Sequence, residues 1–212
     1  GAAPERRVIA GLATGSRYPE QWGAGRDPVD FHDVKADVQA LLELSGSAGT
    51  VRYAAGGASC LHPGRCATLE LDGRAIGLVG ELHPAIVRAL DFTYAPVLFE
   101  LDHAAVVANR VIRYSAVSNF PRIRRDISFS VGISLPFGRI AERVSVAAGP
   151  ALHELRLFDV YQGKGVESGQ RSIALGLILQ DLSRTLTDAE ADRVVEAVCK
   201  ELRSSLDARI RE

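Results

Sequence analysis

LRLFDVYQGKGVESGQRSIALGLILQDLSRTLT, Leu155 to Thr187, is the stretch whose reading decides the fold. It reads as a strand, a long polar connection, a second strand and the start of a helix. Leu155 and Leu157 alternate with Arg156 and Phe158, the period-2 pattern of a half-buried strand. Gly163, Gly165 and Gly169 fall in the connection, where positive φ is cheap and side-chain bulk is absent. Ile173, Leu175, Leu177 and Leu179 alternate with Ser172, Ala174, Gly176 and Ile178, which gives a second strand with one apolar face. Thr187 followed by Glu190 fits a capping box opening a helix. A hairpin with this much polar reach at its tip is expected to hold something outside the protein.

Working outward, the second half reads strand (Asp126–Val131), helix (Phe137–Ala148), strand (Leu152–Tyr161), strand (Arg171–Gln180), helix (Asp188–Ser204) and short strand (Ala208–Arg211). Pro136 suits a first helical turn and Gly149-Pro150 a stop. This βαββαβ order is the split βαβ, ferredoxin-like plait, with both helices on one face of a four-stranded antiparallel sheet. Ile127, Phe129 and Val131 are expected to face the helices. Ser128, Ser130, Ser172, Ala174, Gly176 and Ile178 are expected on the open face. None of these is aromatic, so the base stacking of an RRM sheet is not expected. If RNA is bound, the loops and the hairpin tip must do more of it, with Phe158, Tyr161, Gln162 and Lys164 offering an aromatic body, hydrogen bonds and a cation.

The first half reads as an antiparallel sheet with helices on it. Arg7–Ala13 is a short strand. Tyr18–Pro28, which holds the only tryptophan, Trp22, is a loop. Asp30–Leu44 is an amphipathic helix with Phe31, Val34, Val38, Leu41 and Leu42 on one face, broken at Ser45–Gly49. Ala67–Leu71 and Arg74–Val79 flank Asp72-Gly73, a strong hairpin signal. A short helix is expected from Ala85 to Leu90 behind Pro84, and a strand at Val97–Leu101. Asn109–Asn119 lacks periodicity and reads as the link between domains 1–114 and 115–212. The fold class is α+β.

Composition bounds the function. The chain has 212 residues, 47% hydrophobic and 24% charged, with 25 basic against 26 acidic residues. Bulk charge therefore advertises neither nucleic acid, DNA included, nor a membrane. Residues 119–184 carry nine basic and six acidic residues, net +3, whereas 185–212 carry five and seven, net −2. Positive charge collects on the strands and loops of the second half, which suits an anionic partner. Lys164 is one of only three lysines beside 22 arginines. Three cysteines without framework spacing read as reduced thiols of a cytoplasmic protein. No apolar run approaches the ~20 residues that span a bilayer. The chain lacks methionine even at position 1, so Gly1 reads as the start of an excised or processed fragment.

Other constellations are weaker. Cys60, His62, Cys66 and His83 are all zinc-ligand types, but Cys60-x-His62 is cramped and no paired C-x-x-C accompanies it. His62-Pro63 and His83-Pro84 read instead as turns at strand ends. Glu81 and His83 as an acid/base pair lack a nucleophile or oxyanion donors. Gly163-x-Gly165 lacks the following helix that a phosphate loop needs.

NFPRIRRD (Asn119–Asp126), LFDVYQGKGVESGQRSIAL (Leu157–Leu175) and DLSRTLTDAE (Asp181–Glu190) closely resemble the ferredoxin-fold anticodon-binding domain of phenylalanyl-tRNA synthetase. VDFHDVKADVQALL (Val29–Leu42), LHPGRCA (Leu61–Ala67), IGLVGELHP (Ile76–Pro84) and FELD (Phe99–Asp102) are similar to the later part of the catalytic-like core of the bacterial β subunit. The blocks occur in the family's order over nearly the whole chain.

The resemblance implies part of a class II synthetase-like, non-catalytic core followed by an anticodon-binding plait. It implies an α subunit that activates phenylalanine with ATP and Mg²⁺, and tRNA(Phe) as partner. It implies no cofactor and no catalytic residue in this stretch. The only Glu-Arg pairs, Glu5-Arg6 and Glu142-Arg143, lack the glycine-rich strand that a class II active site carries. The expected tRNA-binding residues are Tyr161, Lys164, Gln162, Phe120, Arg122, Arg124 and Arg184. Each arginine has a second reading: a solvated or ion-paired loop for Arg122, Arg124 and Arg125, with Asp126 beside Arg125, and a hairpin-end cap for Arg184. A rival function is a ferredoxin-like module that binds a protein or small ligand and never RNA.

Overall fold

The computed structural model describes residues 5–44, 51–108 and 117–211. The Ser45–Gly49 break and most of the Asn109–Asn119 link fall outside the described residues. The chain divides into two compact units, Gly1–Arg113 and Tyr114–Glu212.

The first unit is a five-stranded antiparallel sheet in the order β1-β5-β4-β3-β2, with β1 Val8–Ala13, β2 Val51–Ala55, β3 Leu61–Leu71, β4 Arg74–Leu82 and β5 Val97–Asp102. Helix α1 (Phe31–Leu44) buries Val34, Val38 and Leu42, spaced by four so that they form one stripe, in a core with Leu69, Val79 and Leu101. Its start is a reciprocal box built on aspartates. Asp30 Oδ1 accepts the His32 and Asp33 N–H groups at 2.8 and 3.1 Å, and Asp33 Oδ2 accepts the Asp30 N–H at 2.8 Å. That backbone bond, with Arg17 beside it, holds the Asp33 carboxyl below its ordinary pKa. Asp72 and Gly73 both take positive φ (52° and 78°) and connect β3 to β4 in two residues, as the Asp-Gly pair predicts.

Three features depart from the sequence reading. Strand β2 has no counterpart there: VRYAA is short and follows a polar break. β3 runs back to Leu61 through Pro63 and Gly64, which sit at an irregularity between Leu61 and Cys66 where ladder pairing is interrupted. Helix α3 (His103–Val107), too short for periodicity, is started by the Asp102 carboxylate, which accepts the Ala104 N–H at 3.0 Å. The other short helix, α2, is Pro84–Ala89.

The second unit is the plait. Strands β6 (Ile123–Gly132), β7 (Leu152–Tyr161), β8 (Gln170–Leu179) and β9 (Arg209–Arg211) stand in the order β7-β8-β6-β9, every neighbour antiparallel. Helices α4 (Phe137–Ala148) and α5 (Asp188–Leu206) share one core with the sheet. Phe129, Leu175, Leu177 and Leu179 of the strands are fully buried with Ile140 and Val144 of α4 and Val198 and Leu202 of α5. Pro136 caps α4 from outside and does not occupy its first turn. Strand β6 begins at Ile123, three residues earlier than the alternation of Asp126–Val131 suggested. The charged run Arg124-Arg125-Asp126 hid it, yet Arg124, Arg125 and Asp126 pair with Ile178, Leu177 and Gly176. Arg124 and Arg125 therefore lie inside the sheet and not in a loop before it.

Candidate functional site

Directly opposed residues of an antiparallel pair share a face, so register alone lays out the side of the plait away from the helices. Four rows cross it. They are Arg124, Ile178 and Glu154; Asp126, Gly176 and Arg156; Arg211, Ser128, Ala174 and Asp159; and Arg209, Ser130, Ser172 and Tyr161. The floor on β6 and β8 is mostly small, as the sequence indicated. The expectation of a face without aromatics needs correction, because edge strand β7 supplies two. Tyr161 stands opposite Ser172 and is 44% exposed. Phe158 is the extra residue of a bulge between Leu157 and Asp159, and its ring lies 5.2 Å from the Arg124 guanidinium. Parity already sets Phe158 on the side of Arg156; the bulge shifts the alternation by one residue and carries Asp159 and Tyr161 over to that side, which a count from Leu155 and Leu157 cannot see.

Arg124 is held from two sides. Its Nε donates to Asp126 Oδ1 at 2.7 Å, and the Phe158 ring lies against its guanidinium. Asp126 raises the arginine's pKa further. Both side chains lean over Gly176: a Cβ there would sit 3.2 Å from Asp126 Oδ1 and 3.3 Å from Arg124 Nε. The glycine is the seat of the pair.

At the tip, Tyr161 Oη donates to the Lys164 carbonyl at 3.4 Å. Gly163 matters for space and not for φ: a Cβ would come within 2.6 Å of Tyr161 Oη and push the ring aside. Positive φ occurs at Gly165 and Gly169 (89° and 78°). Gln162 and Lys164 are exposed. The tip therefore presents Tyr161, Gln162 and Lys164 to solvent, next to the Phe158–Arg124 pair.

The remaining expected residues divide. Arg122 is exposed beside the first row. Phe120 is half-buried, and its backbone is tied down: its N–H donates to Ser118 Oγ at 3.2 Å and its carbonyl accepts Gln180 Nε2 at 2.7 Å. Arg125 is structural, but its partners are Asp188 and Asp192 at the start of α5 (2.6 and 2.9 Å); Asp126, its chain neighbour, pairs with Arg124. Arg184 donates to both oxygens of Glu190 at 2.8 and 2.7 Å. Glu190 also accepts the Thr187 N–H at 2.9 Å, so Arg184 completes the capping box of α5. A phosphate would have to displace that carboxylate. Arg156, Asp159, Arg209 and Arg211 were not singled out in the sequence, although period-2 counting from Tyr161 and through Arg-Ile-Arg reaches three of them.

The first unit has a cavity of about 500 Å³ lined by Asp30, Phe31, His32, Gly64, Arg65, Cys66 and Glu81. Glu81, 8% exposed, is paired with Arg65 at 2.8 Å. His83 Nδ1 accepts the Ala85 N–H that opens α2, and His62 Nδ1 accepts the Gly64 N–H. His83 thus serves the start of α2, whereas His62, expected in a turn at a strand end, lies within β3 and holds its irregular stretch between Leu61 and Cys66. Among the described residues, no three His, Cys, Asp or Glu side chains gather as a metal-ion site. No helix is long and apolar enough to cross a membrane among the described residues.

Two family models match the chain. Residues 1–103 match the phenylalanyl tRNA synthetase beta chain CLM domain, and residues 118–211 match the ferredoxin-fold anticodon binding domain. Among curated proteins, the phenylalanine–tRNA ligase beta subunit of Pseudomonas putida is 42% identical over 211 residues, all of this chain and 27% of that protein. That of Methylococcus capsulatus is 40% identical over 212 residues, again all of this chain and 27% of the relative. That of Aromatoleum aromaticum is 42% identical over 96% of this chain and 25% of its own length. The chain spans about a quarter of the length of these relatives.

Proposed function

From the premise that the chain belongs to the phenylalanyl-tRNA synthetase β-chain family, we propose that its plait, 115–212, binds the anticodon stem-loop of tRNA(Phe) on the face away from the helices. Residues 1–114 act as a class II-like core without chemistry of its own and pack against an α subunit. That subunit carries phenylalanine activation with ATP and Mg²⁺. Such an assembly works in the cytoplasm.

The observation that carries this reading is the pairing of a small-residue floor with an aromatic–cation wall. Flat bases fit over Ser128 and Ala174, with Tyr161 and the Phe158–Arg124 pair at the side. Base stacking on aromatic and guanidinium planes is the usual way proteins hold unpaired nucleotides. Lys164 and Arg122 supply exposed cations for phosphates, and Gln162 a hydrogen-bonding group. Phe120 and Arg184 border this surface less directly, held as they are by Gln180 and Glu190.

The test separates binding from chemistry. Tyr161→Ala and Lys164→Ala should weaken aminoacylation through tRNA affinity, with ATP-dependent phenylalanine activation unchanged. Equal losses in both reactions, or binding that does not distinguish tRNA(Phe) from other tRNAs, would reject the reading in favour of a protein-interaction module.

A further inference from the structure

The loop between β7 and β8, residues 162–169, starts at one edge of the sheet, yet it is bonded to the strand at the opposite edge. Arg209 Nη1 of β9 pairs with the Glu167 carboxylate, and Arg211 Nη2 donates to the Gly165 carbonyl at 2.9 Å. With the order β7-β8-β6-β9, the loop and the two arginine side chains together span the ends of β8 and β6. It is fixed at both ends: Ile133 N–H donates to the Gly169 carbonyl at 2.9 Å, one rung beyond the Gly132–Gln170 pair, and Tyr161 Oη donates to the Lys164 carbonyl. The loop therefore stands as a wall across one end of the face described above. Ser130 and Ser172 are buried in the row beneath it, between Arg209 and Tyr161.

Strand β9 is only three residues, Arg-Ile-Arg. Ile210 packs on the core, while Arg209 and Arg211 fall on the opposite face in register with Ser130 and Ser128. Neither arginine is spent on the β9–β6 ladder. Both side chains go to the loop, and one meets a carboxylate more than 40 residues away in sequence.

We infer that Arg209 and Arg211 are positioning residues, clasping the 162–169 loop so that Lys164 and Tyr161 are held in place before ligand arrives. This rests on the proposed RNA-binding reading of the same face. The alternative for Arg209 is direct phosphate contact, and the two make opposite predictions. If Arg209 acts through Glu167, then Glu167→Gln and Arg209→Gln should weaken binding alike. If it contacts phosphate, Glu167→Gln frees it from a competing carboxylate and strengthens binding.

The experiment uses the intact protein carrying Arg209→Gln, Glu167→Gln or the exchange Arg209→Glu with Glu167→Arg. Hydrogen exchange at Val166 and Ile133 reads the clasp, and tRNA(Phe) binding against salt reads its consequence. Both single variants should speed exchange and raise Kd by about two- to fivefold, the span of an exposed ion pair. The log–log salt slope should stay unchanged, and the exchanged pair should recover both signals. Unaltered exchange in the single variants, tighter binding by Glu167→Gln, or a slope reduced by about 0.7 in Arg209→Gln would each overturn the inference. If the unsubstituted protein binds no tRNA, the proposed function falls, while exchange and its recovery still decide the clasp.

Discussion

The Arg124 guanidinium lies over the Phe158 ring at 5.2 Å while its Nε is bonded to Asp126. One residue comes from a central strand and the other from a bulge on the edge strand, and Gly176 between them leaves the room. A cation fixed on an aromatic plane by a carboxylate is a preorganised stacking surface: it loses little side-chain freedom when a base settles on it. Phe158→Ala should therefore weaken tRNA(Phe) binding by about 1–3 kcal/mol, the range for a stacked base. Phe158→Tyr should retain most of it. Titration of labelled tRNA measures both, and unchanged far-UV circular dichroism would show that the sheet persists. Equal affinity in Phe158→Ala would remove the ring from the interface.

Gly176→Val tests the same pair from beneath. A Cβ at that position already meets Asp126 Oδ1 at 3.2 Å and Arg124 Nε at 3.3 Å; two further methyl groups must push both off the strand. The expected outcome is binding lost to the same extent as in Arg124→Ala, with the melting temperature lowered by only a few degrees. A large stability loss would instead show that Gly176 serves the core.

Lys164 is exposed and forms no ion pair among the described contacts of its own loop, where its carbonyl only accepts Tyr161 Oη. A free cation that neutralises one phosphate of a single-stranded segment contributes about −0.7 to the slope of log K against log salt. Lys164→Ala should reduce the slope by about that amount, with a larger affinity loss at low than at high salt. An unchanged slope would leave Lys164 outside the RNA contact.

Much of this was legible in the residues. Ile127, Phe129 and Val131 point where their alternation says, and Thr187-x-x-Glu190 caps a helix as its spacing says, because both patterns are local. What escaped was set by neighbours distant in the chain. Arg124, Arg125 and Asp126 look like a solvated run, yet their partners across β8 make them strand. Arg125 chose Asp188 and Asp192 over the adjacent Asp126 because successive strand residues point to opposite faces. Asp159 and Tyr161 reached the open face through a bulge, and Arg209 meets Glu167 only because the 162–169 loop and the arginine side chain reach toward each other across the end of the sheet. Strand β2 and helix α3 were simply too short for a period to register.

Glu190 links α5 to pH. The Arg184 guanidinium bonded to both its oxygens, with the Thr187 N–H and hydroxyl, pulls its pKa down to about 2 from an ordinary 4.5. A carboxyl whose folded value is depressed gives stabilisation that is complete above the unfolded value. That contribution is lost as pH falls from 4.5 toward 2. Over this window the start of α5 should loosen, because a protonated Glu190 no longer answers Arg184 and offers a weaker acceptor to Thr187. Melting followed by circular dichroism at steps between pH 6 and pH 2 should show a Glu190→Gln variant less stable than the unsubstituted chain near neutrality. The two should converge at the acid end. Thr187→Ala, which removes the cap hydroxyl and leaves Glu190 and Arg184 paired, should cost about 1 kcal/mol near neutrality and keep most of the pH dependence. Parallel curves for Glu190→Gln and the unsubstituted chain across the whole range would show that the acid sensitivity arises elsewhere.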